Sequence, residues 1–252
     1  MPQLLETRAL KKSFGGVHAV DELDFHVDEG EILGVIGPNG SGKTTLFNLI
    51  TGFLSPTQGQ VFFQGKDVTG LASHRIARRG IVRTFQLNLL FNSFTVLDNV
   101  AHAYHLHRKT GPIGAFFRPR RVRDEEAAFL QKAEEVLEQT GMADRADQLA
   151  RELSYGWQKT LTLAIGLAAE PKLLMLDEPI TGIAPTRVEA IGNLIRKAND
   201  RGITICVIEH NVKLLTGLCD RMVALNFGQK MADGPPDEVV NDPNVIQAYL
   251  GA

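Results

Sequence analysis

Gly37-Pro38-Asn39-Gly40-Ser41-Gly42-Lys43-Thr44-Thr45 decides the fold, because it fits the pattern G-x-x-x-x-G-K-[ST] between two telling flanks. An apolar run, Ile32-Leu33-Gly34-Val35-Ile36, precedes it, and a helix-like run, Thr45-Leu46-Phe47-Asn48-Leu49-Ile50, follows. Strand, glycine loop and helix in that order make a phosphate cradle. The glycines let the backbone wrap close to a polyphosphate with successive N–H groups turned inward. The helix that opens at Lys43 aims the positive end of its dipole at the same place. Lys43 would reach the β- and γ-phosphates, and the Thr44 hydroxyl would sit on magnesium. The competing reading, a plain glycine-rich turn between strand and helix, does not account for the complete pattern.

The chain has 252 residues, enough for one large α/β domain or a core with a smaller insertion. Its 44% hydrophobic content supports a sizeable core and argues against disorder. A net charge of −2 speaks against a nucleic acid as main partner. Cys206 lies in an apolar strand-like run and Cys219 near a helix end, which suits reduced cytosolic thiols better than a disulfide framework. Met1 to Glu6 holds no basic region followed by an apolar one, so no secretory signal is expected. The most apolar stretch, Leu161 to Leu176, is interrupted by Glu170-Pro171-Lys172 and is not expected to span a membrane.

Along the chain, Leu4 to Val27 alternates polar and apolar residues as half-buried antiparallel strands do, with a turn at Phe14-Gly15-Gly16. Gln60 to Gln64 reads as another strand, Ser73 to Arg79 as a short basic helix, and Ile81 to Gln86 as a buried strand ending on a polar residue. From about Leu87 to Glu152 the texture becomes helical, with helices expected near Val96–His107 and Arg123–Thr140. Strand texture returns at Leu173–Asp177 and Ile203–Ile208. Runs apolar on both faces and separated by amphipathic helices indicate a covered parallel sheet. The expected division is a core over 1–86 and 153–240, a helical insertion over 87–152, and a tail over 241–252.

Four apolar residues ending in Asp177-Glu178-Pro179 form a second nucleotide signature, since the C-terminal ends of buried strands are where an α/β sheet presents its ligands. Asp177 would hold magnesium and Glu178 could polarise the attacking water. Alone, Asp-Glu after an apolar run marks a strand end; beside the glycine loop it points to hydrolysis. A third piece, Leu153-Ser154-Tyr155-Gly156-Trp157-Gln158, precedes an apolar helix, with Ser154 as its N-cap.

With these three motifs, the third lying between the first two along the chain, the sequence resembles the ATP-binding subunits of ABC transporters. The implied fold is α/β: a P-loop NTPase core with an antiparallel N-terminal β-subdomain and an inserted α-helical subdomain. The third piece stands where that family has its signature, Leu-Ser-Gly-Gly-Gln. The resemblance implies that Ser154 and Gly156 face the γ-phosphate held by another subunit, in a head-to-tail homodimer, or heterodimer with a paralogue, enclosing two ATP molecules. It implies that Gln86 is a magnesium ligand that feels the membrane partner, that His210 contacts the γ-phosphate, and that Phe14 stacks on adenine. Catalysis would then fall to Glu178, His210 and Lys43, with ATP and Mg2+ as cofactors. Transmembrane permease subunits, and indirectly a solute-binding protein, would be the partners at the cytoplasmic face of the membrane.

Two departures from the family pattern stand out. Ala184 occupies a position where many relatives have aspartate, and Tyr155 and Trp157 alter the signature. Arg83-Thr84-Phe85-Gln86, Phe94 to Val100, Leu153 to Gly156 and the tail Asn241 to Gly251 narrow the resemblance to the branched-chain amino acid uptake subfamily. Urea, amide and aromatic-acid uptake systems share these features, and lipid export or a soluble ABC ATPase are the remaining alternatives. The latter usually carries two cassettes or a long coiled-coil insertion, and this chain has neither. His102, His105 and His107 read as a solvated helix face rather than a metal site, and Arg118 to Arg123 as a solvated basic loop.

Overall fold

The computed structural model describes residues 2–84, 90–107 and 119–250. The alternating N-terminal stretch forms two twelve-residue strands, β1 (Gln3–Phe14) and β2 (Val17–Asp28), paired antiparallel around a turn at Gly15. The uninterrupted apolar run becomes β3 (Ile32–Ile36), buried at all five residues, and the glycine loop follows into α1 (Lys43–Ile50). Next come β4 (Gln58–Phe63), β5 (Lys66–Asp67), α2 (Ser73–Ala77) and β6 (Ile81–Arg83).

The helical stretch holds α3 (Val96–Ala103), started by Thr95, whose side chain accepts from the Asp98 N–H, and α4 (Pro119–Thr140). The expected helix through His107 stays α-helical only to Ala103; its last turn, Tyr104–His107, tightens to a 3-10 helix. After α5 (Tyr155–Ala168), Glu170 turns with φ 49° and Pro171 ends the apolar stretch before β7 (Leu173–Asp177). The remainder is α6 (Pro185–Asn199), β8 (Thr204–Ile208), α7 (Val212–Leu218), β9 (Arg221–Asn226), β10 (Gln229–Gly234), α8 (Pro236–Val240) and α9 (Pro243–Leu250). Among the described residues no helix is long and apolar enough to cross a membrane.

Two sheets result. One runs β2-β1-β4-β5, with antiparallel pairings; the other runs β10-β9-β3-β8-β7-β6 and is parallel except for its β10 edge. The strands β3, β7 and β8 carry no polar face, so both sides of the second sheet must be covered. One side meets the antiparallel sheet and α1 through Leu5, Phe25, Phe47 and Phe63. The other meets α6 and α7 through Ile191, Ile195, Leu215 and Leu218. A third cluster joins α3 and α4, through Val96, Val100, Ala133 and Leu137, to Leu161, Ala164 and Ala168 of α5. That third cluster fixes the helical segment on α5, whose first residue follows Ser154.

Candidate active site

The loop between β3 and α1 is made by glycines in conformations that a side chain would oppose. Gly37, Gly40 and Gly42 have φ of 148°, 79° and 103°. At Gly42 the reason is also steric, because a Cβ there would lie 2.4 Å from the Ala19 carbonyl oxygen. Gly42 occupies the N-cap position of α1, and the Leu46 N–H donates to its carbonyl at 2.8 Å. Lys43 folds back into the loop and is 6% exposed. Its ammonium donates to the carbonyls of Gly37 at 2.7 Å and Pro38 at 3.0 Å. Burial lowers its pKa, and the nearby carboxylates Glu178 and Asp177 oppose that shift. A third uncharged oxygen, Ser41 Oγ, lies 3.4 Å from the same ammonium, so no carboxylate is among these partners.

Asp177 ends β7 and Glu178 follows with φ 48°, a left-handed conformation rare for a residue with a side chain. The Glu178 N–H donates to Ile208 O at 2.9 Å and its carbonyl accepts from the Lys159 ammonium at 3.0 Å, so neighbours on both sides hold the strained turn. Glu178 Oε1 lies 3.0 Å from His210 Nε2. Asp177 Oδ2 accepts from the Arg83 guanidinium at 2.6 Å, and Arg83 also donates to Asn48 Oδ1 of α1 at 2.6 Å. This buried pair links the last residue of β6 to the phosphate-loop helix.

A cavity of about 320 Å³ is lined by Phe14, the loop from Asn39 to Thr45, Glu178 and His210. Phe14 stands at the end of β1 with its ring half exposed, and the Lys12 ammonium lies 5.2 Å from the ring centre. Gly37 and Pro38 start the loop, and Asp177 lies one residue behind Glu178 at the end of β7. Gln86 lies outside the described residues. Ser154 and Gly156 are not among the described residues lining this cavity. Ser154 takes the N-cap position of α5, but its side chain makes no capping hydrogen bond. A Cβ on Gly156 would meet Arg187 Cγ at 3.1 Å, because the Arg187 side chain runs across the helix start. Two guanidinium groups lie over the Trp157 ring, Arg187 at 3.3 Å and Arg145 at 3.8 Å from its centre. Ala184 is the N-cap of α6, and Pro185 occupies its first turn.

Several residues of the site escape a reading by motif. Arg83 is a lone charge at the end of an apolar run, and Lys159 a lone charge inside an apolar helix; each is a weak signal until its partner is known. Glu209 is 1% exposed, and its carboxylate accepts the Ile180 N–H at 2.8 Å and the His210 N–H at 3.1 Å. It thereby ties the segment after Glu178 to His210. Burial pushes its pKa up, against the pull of those two N–H donors. His102 and His105 are exposed, and the His102 ring sits against Phe91 at 4.9 Å.

Residues 20–181 match the family described as ABC transporter, and residues 229–252 match the one described as branched-chain amino acid ATP-binding cassette transporter. Over 249 residues, 98% of each chain, the sequence is 38% identical to the high-affinity branched-chain amino acid transport ATP-binding protein BraF of Pseudomonas aeruginosa. Identity to LivG of Escherichia coli K12, a protein of the same description, is 39% over the same length and coverage. Among solved structures, an ATP-binding cassette of an ABC transporter in its ADP conformation superposes with a TM-score of 0.87 at 34% identity, with each chain fully covered. A nucleotide-free cassette gives 0.87 at 33% identity, also with full coverage of each chain.

Proposed function

Because the chain belongs to the ATP-binding subunits of ABC transporters, we propose that it hydrolyses ATP to power uptake of branched-chain or related amino acids through separate transmembrane subunits. The observation that carries the chemistry is the single cavity shared by Phe14, the glycine loop, Glu178 and His210. The adenine stacks on Phe14, and the phosphates lie along the N–H groups from Gly40 to Thr45. Lys43 leaves the Gly37 and Pro38 carbonyls for the β- and γ-phosphate oxygens. Glu178 accepts a proton from water as its oxygen attacks the γ-phosphorus and the bond to the β-γ bridging oxygen breaks, releasing ADP. His210, which contacts Glu178 at 3.0 Å, would donate to the γ-phosphate.

The Thr44 hydroxyl and Asp177 carboxylate are hard oxygen donors of the kind magnesium takes, and Asp177 already receives a cation, the Arg83 guanidinium. These two, with Gln86, would hold the ion, which when bound neutralises charge on the phosphates. Ser154 and Gly156, set apart from the cavity, would complete the site of a second copy or of a paralogous subunit. Docking on permease subunits at the cytoplasmic face, fed by a solute-binding protein, makes the protein peripheral to the membrane. The exposed rings of Phe91 and Phe94 on the helical segment offer such a partner apolar surface.

The test uses Glu178→Gln, which is expected to lower kcat by about 10²–10⁴-fold while leaving ATP bound. Light scattering should then show an ATP-dependent dimer that Ser154→Arg abolishes. Solute uptake into vesicles with reconstituted permease should stop with the same Glu178→Gln change. Undiminished hydrolysis by that variant would remove Glu178 from its role, and unchanged uptake would break the link to transport.

A further inference from the structure

The C-terminal run from Asn241 marks the subfamily in sequence, yet no step of hydrolysis uses it. It folds as α9, opened by Asp242, whose carboxylate accepts the N–H groups of Asn244 at 2.7 Å and Val245 at 3.3 Å. Val245 is 3% exposed and seats the helix in the core beneath the parallel sheet. Tyr249 lies four residues on, hence on the same helix face. Its hydroxyl oxygen accepts the N–H of Gly37 at 2.8 Å, across 212 residues of chain.

Gly37 is where β3 turns into the phosphate loop. A Cβ there would lie 2.2 Å from the Leu225 carbonyl oxygen and 2.6 Å from Ser41 Oγ, so the entry to the loop has no room for a side chain. Two side chains hold the peptide units on either side of the Gly37 Cα. The Gly37 N–H goes to Tyr249, and the Gly37 carbonyl receives the Lys43 ammonium at 2.7 Å. When Lys43 turns to a phosphate it releases the carbonyl after the Gly37 Cα, and the Tyr249 bond to the N–H before it then keeps the Gly37 backbone in register. α9 also walls a cavity of about 940 Å³ whose far side is the loop tip, Pro38 to Gly40, with His210. The Tyr249 bond therefore bridges helix and loop beside an open space rather than within a packed seam.

We infer that Tyr249 is a positioning residue for the phosphate loop: by holding the Gly37 N–H it sets the affinity for the polyphosphate, so nucleotide binding answers to whether α9 is docked. The inference rests on the nucleotide-binding reading of the loop given above. A partner that lifted or pressed α9 would alter ATP affinity without touching the nucleotide.

The experiment is calorimetric titration of the full chain with ATP, beside kcat and KM of hydrolysis, for Tyr249→Phe, which keeps the ring and deletes the acceptor. Kd and KM are expected to rise about three- to tenfold, the worth of one hydrogen bond, with kcat within about twofold of wild type. Val245→Ala, which loosens α9 but leaves the hydroxyl, is expected to weaken ATP in the same direction. ATP affinity of Tyr249→Phe within about twofold of wild type, whatever its melting temperature, overturns the inference. So does a fall in kcat at unchanged KM. Lys43→Ala separates the two readings: if it binds ATP as wild type does, the nucleotide site itself is misplaced, whereas if it fails to bind while Tyr249→Phe is unaffected, only the role of Tyr249 falls.

Discussion

The Arg83 guanidinium and the Asp177 carboxylate form an ion pair at 2.6 Å with each side chain 4% exposed, and the same guanidinium reaches Asn48 on the phosphate-loop helix. Both charges are out of water, so removing either one strands the other. Arg83→Ala is expected to lower the unfolding free energy by about 3–5 kcal/mol in urea titrations. Arg83→Ala with Asp177→Ala should cost clearly less than the sum of the two single changes, and additive losses would show that the pair is not coupled.

Lys43 gives two pH effects of opposite sign. Burial holds its pKa below 10.5 in the folded protein, so between that lowered value and 10.5 the unfolded chain binds a proton that the folded chain lacks. Stability of the nucleotide-free protein should rise with pH through that window. ATP prefers the ammonium, so its affinity should fall through the same window. Calorimetric Kd values and melting temperatures taken from neutral to alkaline pH would show both, and Lys43→Met should flatten each curve.

Two glycines of one loop should respond differently to alanine. Gly42 would drive its new Cβ to 2.4 Å from Ala19 O, whereas a Cβ on Gly40 meets nothing within 4 Å. Gly40→Ala carries only the backbone penalty, about 1–2 kcal/mol. Gly42→Ala adds a clash against β2 and should displace the loop, with ATP binding lost as well as stability. Equal effects in paired melting and titration experiments would count against this account.

Glu209 is tested by Glu209→Gln. Its raised pKa means that above 4.5 the folded protein keeps a proton that the unfolded chain has given up, so this group's contribution to stability falls as pH rises through the raised value. The difference in melting temperature between Glu209→Gln and wild type should therefore shift in favour of the variant as pH climbs from about 4.5. Glu209→Ala leaves the Ile180 and His210 N–H groups without their acceptor, and should cost about 1–3 kcal/mol.

The fold class was legible because it depends on local pattern: alternation in β1 and β2, solid apolar runs in β3, β7 and β8, and a glycine loop between strand and helix. The β9–β10 hairpin gave no such signal. Its two-residue turn needs positive φ at both positions, and the chain uses Phe227 at 46° and Gly228 at 78° where Asn-Gly or Asp-Gly would have announced it. Site residues divide the same way. Lys43, Asp177 and Glu178 sit in short motifs, while Arg83 meets Asp177 across 94 residues and Tyr249 meets Gly37 across 212, distances no spacing rule covers. Ser154 was readable as a helix start, but its missing cap bond is a matter of side-chain rotation that sequence does not encode.

Trp157 is the one tryptophan in the chain, and the guanidinium of Arg145 lies over its indole from the end of the helical segment while that of Arg187 lies over it from α6. Charges this close to an indole shift the energy of its excited state. The protein thus carries its own optical gauge at a joint between two parts of its architecture. A sliding of one against the other by a fraction of a ring width should move the emission maximum, and stopped-flow fluorescence could time that movement with no dye attached.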